Sequence, residues 1–241
     1  MKTETLHREH FFPDRDALFS ALQRRCVESL KDALGTRQQA TLCVSGGSTP
    51  APLFKALSCE PLDWEKVTVA LVDERWVDET HHASNAALVK NTLLQNAAAA
   101  ATFVGMKNTC ATAEEGWLQA NAVYTNIPKP FDVLILGMGP DGHIASLFPN
   151  ASGIENALDL GNTQMCCAIQ AHASAVTGDY TERLSLTLHG IVQARQIIVL
   201  MTGEEKLKVY EKALNCTRFT QLPVSAVLQQ QCVPVDIYWA P

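Results

Sequence analysis

Residues 131–143 read FDVLILGMGPDGH, an apolar run broken by a glycine-rich turn that ends on a histidine. Within it VLIL (133–136) does not alternate apolar with polar residues, so both of its faces must be covered, as in a central strand of a parallel sheet. The turn itself spells G-x-G-x-x-G through Gly137, Gly139 and Gly142, and two functional readings compete for it. A dinucleotide turn belongs to a first βα unit and has an acidic residue about 20 positions on, at the end of the next strand. Here Glu155 and Asp159 lie near that distance but inside NASGIENALDL, which is no strand, and Pro140 and Asp141 occupy the approach to a pyrophosphate. A lone match of this kind is weak. On the second reading the glycines expose His143 at a strand's carboxyl end, where an imidazole suits general-base work near neutral pH. A capped or packed structural histidine is the plainer alternative.

Outward from this strand the same grammar repeats. TLCV (41–44), VTVALV (67–72), MCCAIQ (165–170), QIIVLM (196–201) and VDIYW (235–239) are short apolar runs. Helical spacing alternates with them at 14–34 (closed by Gly35), from Pro50, at 85–96, 111–124, 185–192 and 204–214, with the five alanines 97–101 as a helix tail. The pattern predicts one α/β domain over 1–241, an open, mostly parallel, doubly wound (Rossmann-like) sheet with helices on both faces. In such sheets ligands bind beyond the carboxyl ends of the strands. Three polar segments, SGGSTP (45–50), DERW (73–76) and GMGPDGH (137–143), each follow a strand directly, so all three are expected to meet at one edge.

In SGGSTP, Gly46 and Gly47 let backbone amides approach a ligand, and Ser48 and Thr49 add hydroxyls. With Pro50 in the first helical position, Thr49 is the expected N-cap, and the helix's positive end makes the turn an anion site, most simply for phosphate. A well-capped turn with no ligand remains open. In the next segment Asp73 and Arg75 share one side of an extended stretch and Glu74 the other; Arg75 offers a fork to phosphate or carboxylate, unless it pairs with its acidic neighbours. Downstream, Arg183 in TERLSLTL is expected early in a helix, and Lys206 in TGEEK returns to the same sheet edge; a solvated lysine is its alternative. His81 and His82 with Glu79 suggest a metal site only superficially, because adjacent residues rarely converge on one ion. No metal and no cofactor are expected.

The chain of 241 residues is 47% hydrophobic and 18% charged, ample for a buried core. A net charge of −6 argues against nucleic acid, which needs clustered cations. Eight cysteines include no C-x-x-C pair, and several sit in apolar runs, so a reduced, cytoplasmic protein is expected. The opening MKTETLHREHFF lacks a signal peptide's apolar stretch, and nothing is apolar for the roughly 18 residues a membrane span needs. No obligate protein partner is evident. Without a G-x-S-x-G elbow, a serine hydrolase of the α/β-hydrolase kind has no support.

Taken in order, SGGSTP (45–50), DERWV with SNAALV (73–89), LGMGPDGHIASLFP (136–149), RLSLTL (183–188) and TGEEK (202–206) resemble the 6-phosphogluconolactonase family of the pentose phosphate pathway. The resemblance implies a parallel α/β fold and metal-free hydrolysis of a small phosphorylated sugar lactone, 6-phosphoglucono-1,5-lactone. It implies that His143 activates the attacking water and that the Gly46–Thr49 turn binds phosphate with Arg75 and Lys206. Asp141 is expected to orient substrate or turn, with Asp73, Gly139 and Arg183 in substrate contact, and amides of the 137–142 turn are candidates for oxyanion stabilisation. Ile144 stands where the family usually has threonine, Asn150 where glycine often follows LFP, and His189 where proline follows LTL; the stretch before Arg183 lacks expected prolines. The related glucosamine-6-phosphate deaminases share a Gly-Asp-Gly-His-Ile segment, but continue into Phe-Asn-Glu-Pro where this chain has Ser146-Leu147-Phe148-Pro149. A sugar-phosphate sensor without turnover is the non-enzymatic alternative; it has no need of His143.

Overall fold

A computed structural model of the chain describes residues 7–241; residues 1–6, part of the stretch read for a leader, lie outside them. The strands are β1 (His7–Phe11), β2 (Ala40–Val44), β3 (Val67–Leu71), β4 (Asp73–Arg75), β5 (Thr102–Val104), β6 (Val133–Gly137), β7 (Cys166–Gln170), β8 (Glu182–Leu186), β9 (Ile197–Thr202) and β10 (Val235–Ala240). The helices are α1 (Arg15–Arg37), α2 (Ala51–Ser58), α3 (Asn85–Thr92), α4 (Ala113–Thr125), α5 (Ile154–Leu158), α6 (Leu188–Ile191), α7 (Glu204–Ala213) and α8 (Val224–Gln229).

Seven strands form one sheet in the order β1-β10-β9-β6-β2-β3-β5, and every neighbouring pair is parallel. All five residues of β2 are buried, which requires cover on both faces. Helix α1 supplies part of it: Asp14 caps its first turn by accepting from Ala17 N at 2.8 Å, and Leu18, Leu22, Cys26, Val27, Leu30 and Ala33 line its buried stripe against β2, β6 and β10. From β2 the chain winds through β3 and β5 toward one edge, and from β6 through β9 and β10 toward the other. The order therefore reverses between β2 and β6, and their carboxyl ends part to open a crevice. The predicted open, mostly parallel sheet is thus the one observed.

Several local expectations are corrected. MCCAIQ is not a strand of the parallel sheet: β7 joins β8 and β4 in a separate three-stranded antiparallel sheet. Arg183 lies on β8, not early in a helix, and only Leu188–Ile191 of the segment 185–192 is α-helical. The apolar residues of RLSLTL fit period 2 as well as period 3.6 over so short a run, and pairing with β4 and β7 decides for strand. Asp73–Arg75, read as an extended polar segment following a strand, forms a short strand of its own, β4, in the second sheet. Gly35 does not close α1, which runs on until Gln38 turns left-handed (φ 58°) and its N–H reaches Leu34 O. The alanine run is a separate 3₁₀ turn, Asn96–Ala100, set off from α3 by Asn96 at φ 50°.

The parallel sheet loses its neighbour where β5 stops, and Tyr124 of α4 takes over. Its fully buried hydroxyl accepts from Leu71 N (3.1 Å) and donates to Leu71 O (2.9 Å) or Val104 O (3.3 Å). Tyr124→Phe leaves a buried amide without its partner, so it is expected to lower stability by about 1–3 kcal/mol. A urea midpoint shifted down at unchanged m checks this.

Candidate functional site

The crevice between β2 and β6 holds a cavity of about 250 Å³. Its walls include Gly46, Gly47, Ser48, Thr49, Asp73, Arg75, Gly139, His143, Arg183 and Lys206, so the three polar segments do converge, joined by β8 and by the start of α7. Asp141 is not a wall; it stands behind His143.

Ser45 ties the two turns together where their strands part. Its hydroxyl donates to Ile135 O (3.0 Å) and accepts from Gly137 N (3.1 Å), stapling the end of β2 to the end of β6. Beyond it, Gly46 is packed so closely that a Cβ there would overlap the side-chain oxygen of Asn85. The capping expectation for Thr49 fails: Pro50, itself near-helical at φ −80°, ψ −7°, takes the N-cap of α2, and no side chain caps it. Ser48 and Thr49 are left as cavity walls.

Arg75 does not pair with its acidic neighbours. Glu74, on the opposite side of β4, is almost fully buried and accepts from the amides of Arg75 (2.8 Å), Asn85 (2.7 Å) and Ala86 (2.8 Å) and from Ser84 Oγ (3.0 Å). Burial pushes its carboxyl above the usual carboxylate range, against the pull of those four donors. Asp73 is taken by Ser146 Oγ (2.6 Å) and Asn85 Nδ2 (3.2 Å). Arg75 Nη1 instead donates to Ala83 O (2.6 Å) and Asn85 Oδ1 (3.0 Å), while its buried Nε has no partner among the described residues. The guanidinium is thus aimed but not neutralised.

Two further cations share the cavity. Arg183 is 3% exposed, with Nε on Tyr180 O (2.5 Å) and Nη2 on Thr177 O (2.9 Å). Burial lowers its pKa to about 10, so it stays charged at neutral pH. Among the described residues Lys206 has neither a hydrogen bond nor an ion pair within the chain, and burial pushes its ammonium down, with Glu205 opposing. A cation held partly out of water without an internal counterion is costly unless a ligand provides one.

His143 is held at one nitrogen. Nδ1 lies 2.6 Å from Asp141 Oδ1. Burial pushes Asp141 up, but the hydrogen bond and charge of His143 outweigh it and hold the carboxyl below its ordinary value. An ionised carboxylate only accepts, so in the neutral ring Nδ1 carries the proton and Nε2 keeps the lone pair. Nothing among the described residues hydrogen-bonds Nε2. Gly139 admits the ring: a Cβ there would overlap its Nδ1 and Cε1. The turn is closed on itself, with Gly139 N on His143 O and Gly142 N on Gly139 O, both at 3.0 Å. The amides of Gly137, Gly139 and Gly142 are therefore already engaged, which removes them from the oxyanion role left open by the sequence. Glu155 lies in α5 and Asp159 caps it, and neither lines the cavity, so the dinucleotide reading has no acidic partner there.

Sequence reasoning missed Asn85, which touches Gly46, Asp73 and Arg75 at once. Its signal was the Ser-Asn pair opening SNAALV, quoted above only as part of a pattern. It also missed Ser45, Phe148 and Val176 as walls. The His81 and His82 rings pack against each other at a 35° tilt and meet Tyr180, while Glu79 pairs with Lys90 instead. All eight cysteines are free, and burial pushes Cys26 and Cys167 up to about 12, which leaves them inert as nucleophiles. Among the described residues no helix is long and apolar enough to cross a membrane.

Known proteins resemble this chain along nearly its whole length. The family profile described as glucosamine-6-phosphate isomerases/6-phosphogluconolactonase matches residues 13–239. A 6-phosphogluconolactonase from Pseudomonas putida is 40% identical over 232 residues, covering 96% of this chain and 92% of the relative. One from Mesorhizobium japonicum is 41% identical over 230 residues, covering 95% and 94%. The crystal structure of a 6-phosphogluconolactonase from Shewanella baltica superposes with a TM-score of 0.91 at 40% identity, covering 100% of both chains. The chain therefore belongs to the glucosamine-6-phosphate isomerase/6-phosphogluconolactonase family, and within it to the 6-phosphogluconolactonase enzymes.

Proposed function

We propose that the chain hydrolyses 6-phospho-D-glucono-1,5-lactone to 6-phospho-D-gluconate without a metal, His143 acting as general base for attack of water on the lactone carbonyl. The observation that carries this reading is one cavity holding an imidazole whose Nε2 has no hydrogen-bond partner and three cations that have no ion-pair partner among the described residues. In the proposed complex Arg75 and Lys206 bind the phosphate together with the Gly46–Thr49 turn, and the fixed Nε2 takes a proton from water as its oxygen adds to the carbonyl carbon. The tetrahedral intermediate then collapses, and the imidazolium gives its proton to the departing ring oxygen, which leaves the open-chain hydroxy acid and a neutral His143. A lactone is already an activated ester, so one base contributing about 10²–10⁴-fold is adequate chemistry. Asp141 keeps the tautomer, and Asn85 keeps Arg75 pointed inward.

The test is acid release from freshly generated lactone, followed in a pH-stat and corrected for spontaneous opening. Acceleration unchanged by excess EDTA is expected. Loss of rate on chelation defeats the metal-free proposal; tight sugar-phosphate binding without acceleration makes the protein a sensor; ammonia released from glucosamine 6-phosphate makes it a deaminase.

A further inference from the structure

The Asp141 bond fixes one atom of the His143 ring but leaves the ring free to pivot about it, because the terminal torsion of a histidine is broad. The second constraint is Phe148. Its ring lies 4.3 Å from the imidazole, centroid to centroid, at a 34° tilt. Phe148 is only 4% exposed and is itself braced: the Arg183 guanidinium carbon is 5.3 Å from its ring centroid, within cation–π range. The backbone around it is pinned on both sides, by Ser146 N on Ser185 Oγ (3.2 Å) and by Asn150 N on Thr220 O (2.7 Å). An aromatic wall this rigid can hold a neighbour's angle as well as fill space.

We infer that Phe148 is a positioning residue for the reaction: its ring, braced by Arg183, holds the imidazole of His143 at the angle from which Nε2 meets the attacking water. The inference rests on the general-base reading of His143. It also gives Arg183 a task besides substrate contact, since Arg183 links the loop of Thr177 and Tyr180 to the wall behind the base.

The experiment measures kcat and KM on 6-phosphogluconolactone for Phe148→Leu, Phe148→Tyr, His143→Ala and the double variant Phe148→Leu/His143→Ala. Phe148→Leu is expected to lower kcat by about 10- to 100-fold, the scale of a small misplacement of a reacting group, with KM changed by no more than roughly twofold. Phe148→Tyr restores most of the loss. In the His143→Ala background Phe148→Leu changes the residual rate little, since it acts through a ring no longer present. An unchanged kcat in Phe148→Leu, or a loss that repeats in full without His143, overturns the inference. Should circular dichroism show that Phe148→Leu does not fold, Phe148→Met is judged by the same criteria. Wild-type kcat in His143→Ala instead overturns the general-base reading itself, so the two failures are told apart.

Discussion

His143→Ala is expected to lower kcat on 6-phosphogluconolactone by about 10²–10⁴-fold, the usual contribution of a positioned general base, with KM changed only a few-fold. The expectation follows from the division of the ring. Asp141 is held below the ordinary carboxylate range, so it remains ionised through the neutral region and occupies Nδ1 as an acceptor. The lone pair is thereby placed on Nε2, in the cavity that Arg75, Arg183 and Lys206 line. Removing the imidazole leaves those cations in place, so binding survives while proton transfer is lost, and comparison of kcat with KM separates the two. Asp141→Asn is the companion variant: a neutral amide can donate to Nδ1 and favour the wrong tautomer, so kcat falls again. Spontaneous ring opening sets the floor and must be subtracted. Wild-type kcat in His143→Ala sinks the assignment.

The central architecture was legible because its signals are local and repeated. VLIL is apolar at every position and TLCV and VTVALV at every position but one threonine each, a pattern without alternation that suits a sheet covered on both faces, and each runs straight into a polar segment. The convergence of SGGSTP, DERW and GMGPDGH at a strand edge follows from that alone. What escaped was decided by contacts distant in sequence. RLSLTL and MCCAIQ become a second, antiparallel sheet because β8 finds β4 and β7, and no short-range pattern announces those partners. Thr49 looked like a cap until Pro50 took the position. Asn85 lies ten residues beyond Arg75 and gains meaning only when Glu74, buried behind β4, gathers the first amides of α3 and swings the amide side chain between Gly46 and Arg75. Whether Arg75 was a surface pair or a ligand-facing cation likewise turned on where Asp73 and Glu74 spend their oxygens, and both spend them elsewhere.

That disposition leads to the second large effect. Arg75→Ala is expected to lower kcat/KM for the phosphorylated lactone by an amount equivalent to about 2–5 kcal/mol, the cost of truncating one partner of a hydrogen-bonded charge pair that substrate binding closes off from water. For glucono-1,5-lactone, which lacks the phosphate, the reduction is expected to be far smaller. The ratio of the two kcat/KM values is therefore the measurement, since a general loss of folded enzyme lowers both equally. Arg75→Lys keeps the charge but not the fork, and it loses the bonds to Ala83 O and Asn85 Oδ1 that aim the group, so it is expected to recover only part of the ratio. The arginine's position argues for this asymmetry. Its Nη1 is fastened to the protein, its buried Nε has no partner among the described residues, and the carboxylates beside it are already engaged by Ser146, Asn85 and the start of α3. A guanidinium so placed is matched by an anion arriving from the cavity, and it has little to offer a neutral sugar. A ratio unchanged in Arg75→Ala assigns the phosphate to Lys206 or Arg183 and withdraws Arg75 from substrate recognition.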